Sequence, residues 1–211
     1  MALSLSLLPT PAPPYCASGR AATADAELVA QLRQGSEAAF RTLVARYQDR
    51  IYSTAFSLLR SAEEAEDVAQ EVFVEVYQTV ARFRGEAALS TWLYRLATSR
   101  ALQHRRRLQA KKRFAYFTSL LGFDNQVLHE PPDHAHPLAL LEGQQQLALL
   151  LHHIGRLPGP QQVAFTLRHE QELSYEAIAA VLDTTVSAVE SLLFRARQTL
   201  RRHLHSRSSH V

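Results

Sequence analysis

The sequence predicts an all-α fold with two small helical domains joined by a flexible linker. Three observations support this prediction. Apolar residues recur at helical spacing along most of the chain, only 7 of the 211 residues are glycine, and a proline-rich segment separates two periodic regions. We predict a disordered N-terminal tail (1–23), a first domain (24–113), a linker (114–137), a second domain (138–205) and a basic tail (206–211).

Charge is segregated along the chain, although the formal net charge is only +3. Every charged residue between positions 63 and 75 is acidic, and every charged residue between positions 100 and 113 is basic. Arginines return in the last predicted helix and in the tail. Such blocks indicate one surface for phosphate and another, acidic surface for a different partner.

The composition also argues against export and membrane insertion. The single cysteine, Cys16, cannot form an internal disulfide and has no neighbour at metal-ligand spacing, so we expect a reducing cytoplasm. No apolar run reaches the roughly 18 residues of a membrane span. The apolar start lacks a preceding basic segment and ends at Pro9. We therefore expect a disordered tail, or an extension from an early start codon, and no signal peptide.

Three amphipathic helices are predicted before position 83. A short helix from Asp25 to Arg33 ends at Gly35, and Ser36 can cap a longer second helix. The third helix, within residues 61–83, has the most regular apolar stripe of the chain. Its predicted inward residues are Ala65, Val68, Ala69, Val72, Phe73, Val76, Tyr77 and Val80. The acidic residues lie off this stripe. An acidic helix face of this kind is more often simply exposed to solvent than functional.

A glycine-containing loop, Phe83 to Ser90, separates the third helix from a basic fourth helix. Ser90 or Thr91 can cap that fourth helix, which carries aromatic residues beside arginines. This mixture can bind unstacked bases and phosphates. The alternative is that Trp92 and Tyr94 belong to the core and that the arginines only solubilise the helix.

The linker contains three histidines but no rigid element that would fix their geometry for a metal ion. They are His129, His134 and His136. We therefore expect no bound metal, and nothing in the sequence indicates another cofactor. Beyond the linker an apolar-rich helix begins near Leu138, and Pro158 or Pro160 can open the next helix.

Residues 174–202 have the pattern of a helix–turn–helix. Ser174 can cap the first helix, Asp183 lies where the chain must turn sharply, and Thr185 can cap the second helix. The inward residues of that second helix are Val189, Leu193, Ala196 and Leu200. Its outward residues are Ser187, Glu190, Ser191, Phe194, Arg195, Gln198 and Arg202. Such a helix can lie in a DNA major groove, although an ordinary helical hairpin with a solvated face gives the same pattern.

Three segments, in this order, resemble the extracytoplasmic-function (ECF) sigma factors of bacterial RNA polymerase. They are residues 64–77, 83–102 and 157–200, and the resemblance extends over residues 24–110 and 140–204. It implies an all-helical initiation factor with two domains. The first domain (sigma region 2) would bind the clamp of the largest polymerase subunit and melt the minus-ten element. The second (region 4) would bind the minus-thirty-five element and the flap of the second-largest subunit.

The resemblance also implies roles for individual residues. Polymerase binding would fall to Asp67, Gln70 and Glu71. The loop that captures a flipped base would include Phe83, Arg84, Leu89 and Ser90. The melted strand would lie along Trp92, Tyr94, Arg95, Ser99 and Arg100, with phosphates near Arg105, Arg106 and Arg107. In the second domain the groove-facing residues would be Ser187, Glu190, Ser191, Phe194 and Arg195, with Arg197 near phosphate.

The chain departs from the family pattern at four positions. Ser99 stands where many members have asparagine, and Ala177 replaces the glutamate of a capping box with Ser174. Glu190 and Leu192 replace residues that are often basic. Glu190 cannot bind phosphate, but it can accept a hydrogen bond from a cytosine amino group.

We predict a sigma factor that works with core RNA polymerase on promoter DNA and is itself held by an anti-sigma factor. Two alternatives stay open. A stand-alone helix–turn–helix regulator would bind palindromic DNA as a dimer without polymerase. A metal-dependent nuclease would use the acidic helix. The sequence has no phosphate loop, nucleophile elbow or HExxH pair, so we predict that it is not an enzyme.

Overall fold

The computed structural model describes residues 19–83, 85, 87–120 and 142–208. These residues form eight α-helices and one 3-10 turn, Val80–Arg82, and no strand occurs among them, which confirms the all-α prediction. The helices are α1 (Gly19–Arg33), α2 (Glu37–Leu59), α3 (Ala62–Thr79), α4 (Leu89–Leu120), α5 (Glu142–Gly155), α6 (Gly159–His169), α7 (Tyr175–Leu182) and α8 (Val186–Ser208). The three linker histidines lie outside the described residues.

Side-chain caps fix the starts of two helices in the first domain. Ser36 caps α2, as predicted, by accepting a hydrogen bond from the Ala39 amide at 3.3 Å. Ser61 caps α3 in the same way, with the Glu64 amide as donor. Between α1 and α2, Gly35 has φ +76°. Only glycine adopts this conformation at little steric cost, so it ends α1 as predicted.

The apolar stripes of α1 to α4 pack into a common core, with one exception. The predicted inward residues of α3 are buried or partly buried except Tyr77, which is 64% exposed. The prediction of an inward Tyr77 is therefore wrong. Successive residues of a helix are rotated by about 100° about its axis. The Tyr77 side chain therefore points to one side of the buried stripe that contains Val76, and not into the core. The Tyr77 ring instead packs edge-on against Phe40, with 5.3 Å between ring centroids.

Helix boundaries differ from the predicted ones where no side-chain cap marks them. α1 begins at Gly19, inside the predicted tail. α4 begins at Leu89, so neither Ser90 nor Thr91 is its N-cap. α4 also continues to Leu120, beyond the predicted domain limit at residue 113. Its basic segment has high helix propensity and stays helical after the apolar periodicity ends.

The helix–turn–helix has the predicted local geometry. Ser174 caps α7 by accepting from the Ala177 amide at 3.2 Å, and Thr185 caps α8 by accepting from the Ala188 amide at 3.2 Å. Asp183, between the two helices, adopts the left-handed conformation, with φ 52° and ψ 54°. The buried residues of the α8 stripe are Val189, Leu193, Ala196 and Leu200.

The two domains pack against each other. One continuous core cluster extends from Leu28 in α1 to Leu193 in α8, and α4 contacts α7 while α2 contacts α6. A smaller cluster joins α5 to α8. The linker-based prediction of two domains did not include this contact.

Within the described ranges, no single helix is long and apolar enough to cross a membrane. α7 and α8 meet the length and composition criteria only as a pair, and the two are bent by 98° at the turn between them. The α7 residues Ile178, Ala179 and Val181 are buried in the core of the protein.

Candidate polymerase and nucleic-acid interfaces

An acidic face runs along the outer side of α3. The three predicted polymerase contacts, Asp67, Gln70 and Glu71, are all exposed, because the apolar stripe turns the opposite side of the helix into the core. They border a shallow groove of about 420 Å³. Its lining consists of Asp67, Gln70, Glu71, Val74, Glu75, Gln78 and Arg100. The fold thus brings the three predicted residues together on one open surface.

Two apolar side chains lie among these acidic residues. Val74 is 56% exposed and Tyr77 is 64% exposed. Large apolar side chains on an otherwise charged surface are typical of protein-binding sites. Sequence reasoning did not single out Val74. The available signal was an apolar residue off the inward stripe of an amphipathic helix.

Ion pairs connect the acidic face to α4. The Nε atom of Arg100 lies 2.7 Å from Oε2 of Glu75, and this hydrogen bond raises the pKa of Arg100. His104 contacts the carboxylate of Glu64. The resemblance implied that Arg100 lies along the melted strand, whereas here its guanidinium is at the edge of the acidic groove. The Arg100 guanidinium therefore partly neutralises Glu75 within the chain.

An aromatic pocket lies at the start of α4. The rings of Phe83 and Trp92 have centroids 4.8 Å apart and planes inclined by 31°. Gly85 turns the preceding loop with φ +78°. The pocket has a volume of about 240 Å³ and is lined by Arg82, Phe83, Gly85, Ala87, Thr91, Trp92 and Arg95. Paired aromatic rings with two arginines can hold an unstacked base and its phosphate.

The other loop residues that were predicted to capture a base are less accessible. Leu89 is 2% exposed and belongs to the core, and Ser90 is partly buried. Arg33 donates a hydrogen bond from its guanidinium to the Phe83 carbonyl, which holds the loop against α1. Arg84 lies outside the described residues. Among the described residues of this predicted loop site, Phe83 is the one that lines the pocket.

The remaining predicted residues of α4 divide into two groups. Ser99, Arg106 and Arg107 are exposed, and Trp92 is half-buried in the pocket. These residues can be reached by a nucleic acid in the arrangement described here.

The second group on α4 contacts the second domain. Tyr94 is 1% exposed and donates its hydroxyl to Oε1 of Gln171 at 2.9 Å. Arg95 donates to the Ala180 carbonyl, but it stays exposed and also lines the aromatic pocket. Arg105 is hydrogen-bonded to α6. Burial lowers the pKa of Arg105, and the neighbouring Arg106 lowers it further. Tyr94 is therefore a core residue in this arrangement, which was the alternative left open by the sequence.

The outer face of α8 presents every predicted groove residue to solvent. Ser187, Glu190, Ser191, Phe194, Arg195 and Arg197 are all exposed. Phe194 is 66% exposed, so its ring has no core function. Glu190 and Phe194, four positions apart, lie on one side of the helix. α6 and α7 cover the opposite side of α8, which leaves this face free to enter a groove.

Arg197 also influences a histidine behind this face. Burial lowers the pKa of His169, and the positive charges of Arg197 and Arg168 lower it further. The imidazole stacks at a tilt on Phe165, with 4.3 Å between ring centroids. The environment of His169 therefore favours the neutral imidazole.

Two family models match the chain. Sigma-70 region 2 matches residues 43–111, which contain the α3 and α4 sites, and Sigma-70, region 4 matches residues 147–200, which contain most of α8. The chain is 34% identical over 179 residues to the RNA polymerase sigma-H factor of Pseudomonas aeruginosa, covering 83% of this chain and 91% of that protein. It is 32% identical over 179 residues to the ECF RNA polymerase sigma-E factor of Escherichia coli, covering 83% and 92%.

Two solved structures share the fold. A structure of CnrH in complex with the cytosolic domain of CnrY superposes with a TM-score of 0.63 at 23% identity, covering 87% of this chain and 98% of CnrH. The sigma factor RpoE of Bartonella quintana, in complex with the anti-sigma factor NepR, superposes with a TM-score of 0.54 at 20% identity, covering 79% and 96%.

Proposed function

This chain belongs to the extracytoplasmic-function sigma factors of the sigma-70 family and directs RNA polymerase to promoters, and we propose how three of its surfaces divide that work. The acidic face of α3 binds the clamp of the largest polymerase subunit. The Phe83–Trp92 pocket captures a base of the melted minus-ten element. α8 reads the minus-thirty-five element, and its domain also contacts the flap of the second-largest subunit. The chain itself catalyses no reaction.

The observation that carries this proposal is the aromatic pocket beside a basic helix. Stacking of one base on an aromatic side chain contributes about 1–3 kcal/mol, which is comparable to the few kcal/mol that flipping one base out of a duplex costs. Arg106 and Arg107, further along α4, are exposed and can contact phosphates of the same strand. The pocket can therefore hold a base that is already flipped, but melting a longer segment requires the additional contacts of the polymerase.

The acidic face supports the assignment of the polymerase contact. Its carboxylates and its exposed Val74 and Tyr77 lie on α3, whereas the predicted DNA-binding arginines lie on α4 and α8. Carboxylates repel a phosphate backbone, so this face suits a protein partner with a basic surface. Asp67 and Glu71 would contact that partner directly.

The outer face of α8 supports reading of base edges in a major groove. Glu190 can accept a hydrogen bond from a cytosine amino group, and the Phe194 ring can contact a thymine methyl group. Arg195 and Arg197 supply positive charge for phosphates. A single module of this kind buries only about 600–1,000 Å² on DNA, so we expect weak binding to promoters without polymerase.

An anti-sigma factor is a further proposed partner of this chain. The Bartonella quintana structure of the same fold contains an anti-sigma factor. We infer that this chain is also held by an anti-sigma factor, in the cytoplasm where its polymerase works.

Reconstituted transcription tests the proposed function. Purified chain added to core polymerase should give promoter-specific run-off transcripts from DNA that carries its own minus-ten and minus-thirty-five elements. Core polymerase alone is the control. A product that does not depend on the chain would contradict the proposal. Tight binding of a dimer to palindromic DNA without polymerase, in a mobility-shift assay, would favour a stand-alone helix–turn–helix regulator.

A further inference from the structure

The end of α1 lies beside the loop that forms the aromatic pocket. Arg33 is the last residue of α1, and its guanidinium donates a hydrogen bond to the Phe83 carbonyl at a sequence separation of 50 residues. The preceding residue, Leu32, is buried in the core, and the turn at Gly35 follows with φ +76°. The backbone of Arg33 is therefore fixed on both sides. The packing of α1 thus determines where this hydrogen bond is made.

Both backbone polar groups of Phe83 are hydrogen-bonded within the chain. Its amide donates to the Val80 carbonyl at 3.1 Å, at the end of the 3-10 turn, and its carbonyl accepts from Arg33. A hydrogen bond from a charged donor is stronger than one between neutral groups. Its net contribution is moderate here, because Arg33 is exposed and water competes for both groups. The backbone on both sides of the Phe83 side chain is thus held in place.

The two ends of the loop are held in different ways. Leu89, at the far end, is 2% exposed and belongs to the core. A Cβ atom built on Gly85 would have no heavy atom within 4 Å, so neighbouring side chains do not fix the turn there. At the near end the Phe83 ring packs against Trp92, with 4.8 Å between ring centroids. Without the hydrogen bond from Arg33, the Phe83 backbone can move and the two rings can separate.

Arg33 acts from behind the pocket. Among the described residues, the pocket lining includes Arg82 and Arg95 but not Arg33. The Arg33 guanidinium is bonded to the backbone of Phe83, whose ring forms one wall of the pocket. A residue that holds a wall without touching the ligand changes binding through preorganisation of the site. Its effect on DNA is therefore expected to depend on the base that enters the pocket.

We propose that Arg33 is a positioning residue for the base pocket. By holding the Phe83 carbonyl, it keeps the Phe83 ring beside Trp92 and the pocket formed before DNA arrives. α1 is then part of the apparatus that melts the promoter, although Arg33 does not line the pocket. The effect on DNA rests on the proposed function, whereas the effect of Arg33 on the Phe83–Trp92 pair does not.

A second arginine that contacts α1 provides a matched control. The Nη1 atom of Arg46, on α2, lies 2.6 Å from Oδ1 of Asp25, on α1. Arg46→Met removes this ion pair, just as Arg33→Met removes the hydrogen bond to Phe83. Both substitutions remove one positive charge and keep an unbranched side chain. A general loosening of α1 would therefore affect both variants. Arg33→Lys keeps the charge and an N–H donor, and tests for rescue.

The fluorescence of Trp92 reports the state of the pocket without any DNA. Trp92 is the only tryptophan of the chain. In the free, full-length protein, acrylamide should quench Arg33→Met about twice as strongly as the wild type, because local opening exposes the indole. Arg46→Met should be quenched like the wild type, and Arg33→Lys should recover most of the difference. Circular dichroism checks that every variant is folded.

Binding of single-stranded DNA by the holoenzyme gives the second readout. The probe is an oligonucleotide with the non-template minus-ten sequence of a promoter that the wild type transcribes, together with versions that each contain one abasic position. The wild type should lose at least about tenfold in affinity at the position whose base enters the pocket. Arg33→Met should bind the intact oligonucleotide about fivefold more weakly than the wild type does. The two proteins should bind that abasic version equally.

A direct contact between Arg33 and a phosphate predicts a different pattern. Arg33→Met would then weaken binding to the intact and the abasic oligonucleotides by the same factor. It would also lower the salt dependence of binding by about one phosphate contact. A positioning role leaves the salt dependence unchanged.

Three results would overturn the proposal. The first is quenching of Trp92 in folded Arg33→Met that equals the wild type. The second is an equal loss of affinity on the intact and the abasic oligonucleotides. The third is the same response in Arg46→Met as in Arg33→Met. If no abasic position weakens binding by the wild type, the base pocket of the proposed function is wrong, and the quenching still decides whether Arg33 holds Phe83 beside Trp92.

Discussion

Charge reversal at Asp67 or Glu71 tests the assignment of the polymerase-binding face directly. Both side chains are exposed on α3, one helical turn apart, and line the same groove. We expect Asp67→Lys and Glu71→Lys each to weaken binding to core polymerase. Both should leave the fold intact, because substitutions at exposed positions usually change stability by less than about 0.5 kcal/mol.

The expected magnitude follows from what one carboxylate contributes at an interface. A hydrogen bond to a charged group contributes about 1.5–3 kcal/mol. The low end applies here, because the α3 face is open to solvent and its charges are screened. A loss of about 1.4 kcal/mol raises the Kd tenfold. The double variant should lose less than the sum of the two, because residues one turn apart share a partner surface.

Glu66→Lys is the matched control. Glu66 is exposed on α3 and undergoes the same charge change, but it does not line the groove. Titration of labelled protein with core polymerase should show about a tenfold increase in Kd for Asp67→Lys and Glu71→Lys, smaller at ~0.5 M than at ~0.1 M salt. Folded variants that bind within twofold of the wild type would refute the assignment. An equal loss in Glu66→Lys would show that net charge, not position, matters.

Three further predictions concern other parts of the molecule. Trp92→Ala should reduce run-off transcription at least tenfold, because it removes one of the two rings of the aromatic pocket. A template that is already melted at minus-ten should restore most of the lost transcription. Equal loss on both templates would argue against a role of Trp92 in melting. Glu190→Lys should weaken the preference for cytosine at one base pair of the minus-thirty-five element by about 1–3 kcal/mol. The preference can be measured with a randomised minus-thirty-five element. An unchanged preference would place Glu190 outside the groove. His169 has a lowered pKa, so the neutral form stabilises the fold above pH 6.5 and this stability is lost as the pH falls below that value. His169→Gln should flatten the decline in Tm between pH 7.5 and 5.5, and a parallel decline in both proteins would contradict the assignment.

The helix caps and turn of the second domain were predictable because each depends on a side chain and its own nearby backbone. Ser174, Asp183 and Thr185 act within a few residues of themselves, so their chemistry can be recognised without any knowledge of tertiary contacts. The start of α4 had no such cap, and prediction placed it at Ser90 or Thr91 instead of Leu89. Helix ends without a local signal depend on packing.

The acidic face and the outer face of α8 were also predictable, because a helix with one apolar stripe can bury only that stripe. Asp67 and Glu71 on α3, and Glu190 and Phe194 on α8, are exposed for this reason. Tyr77 lies at the edge of the α3 stripe and is exposed, because a side chain at such an edge is buried or exposed according to its neighbours and not according to its spacing.

The sequence by itself determined the all-α class, the helix–turn–helix and the separation of acidic from basic faces, because these follow from periodicity and local hydrogen bonding. Only the tertiary structure decided which basic-helix residues are free. Tyr94 and Gln171 are 77 positions apart in the sequence, and their contact depends on two folded surfaces that fit each other. No local pattern specifies that fit, so the docking of the domains is a property of the tertiary structure alone.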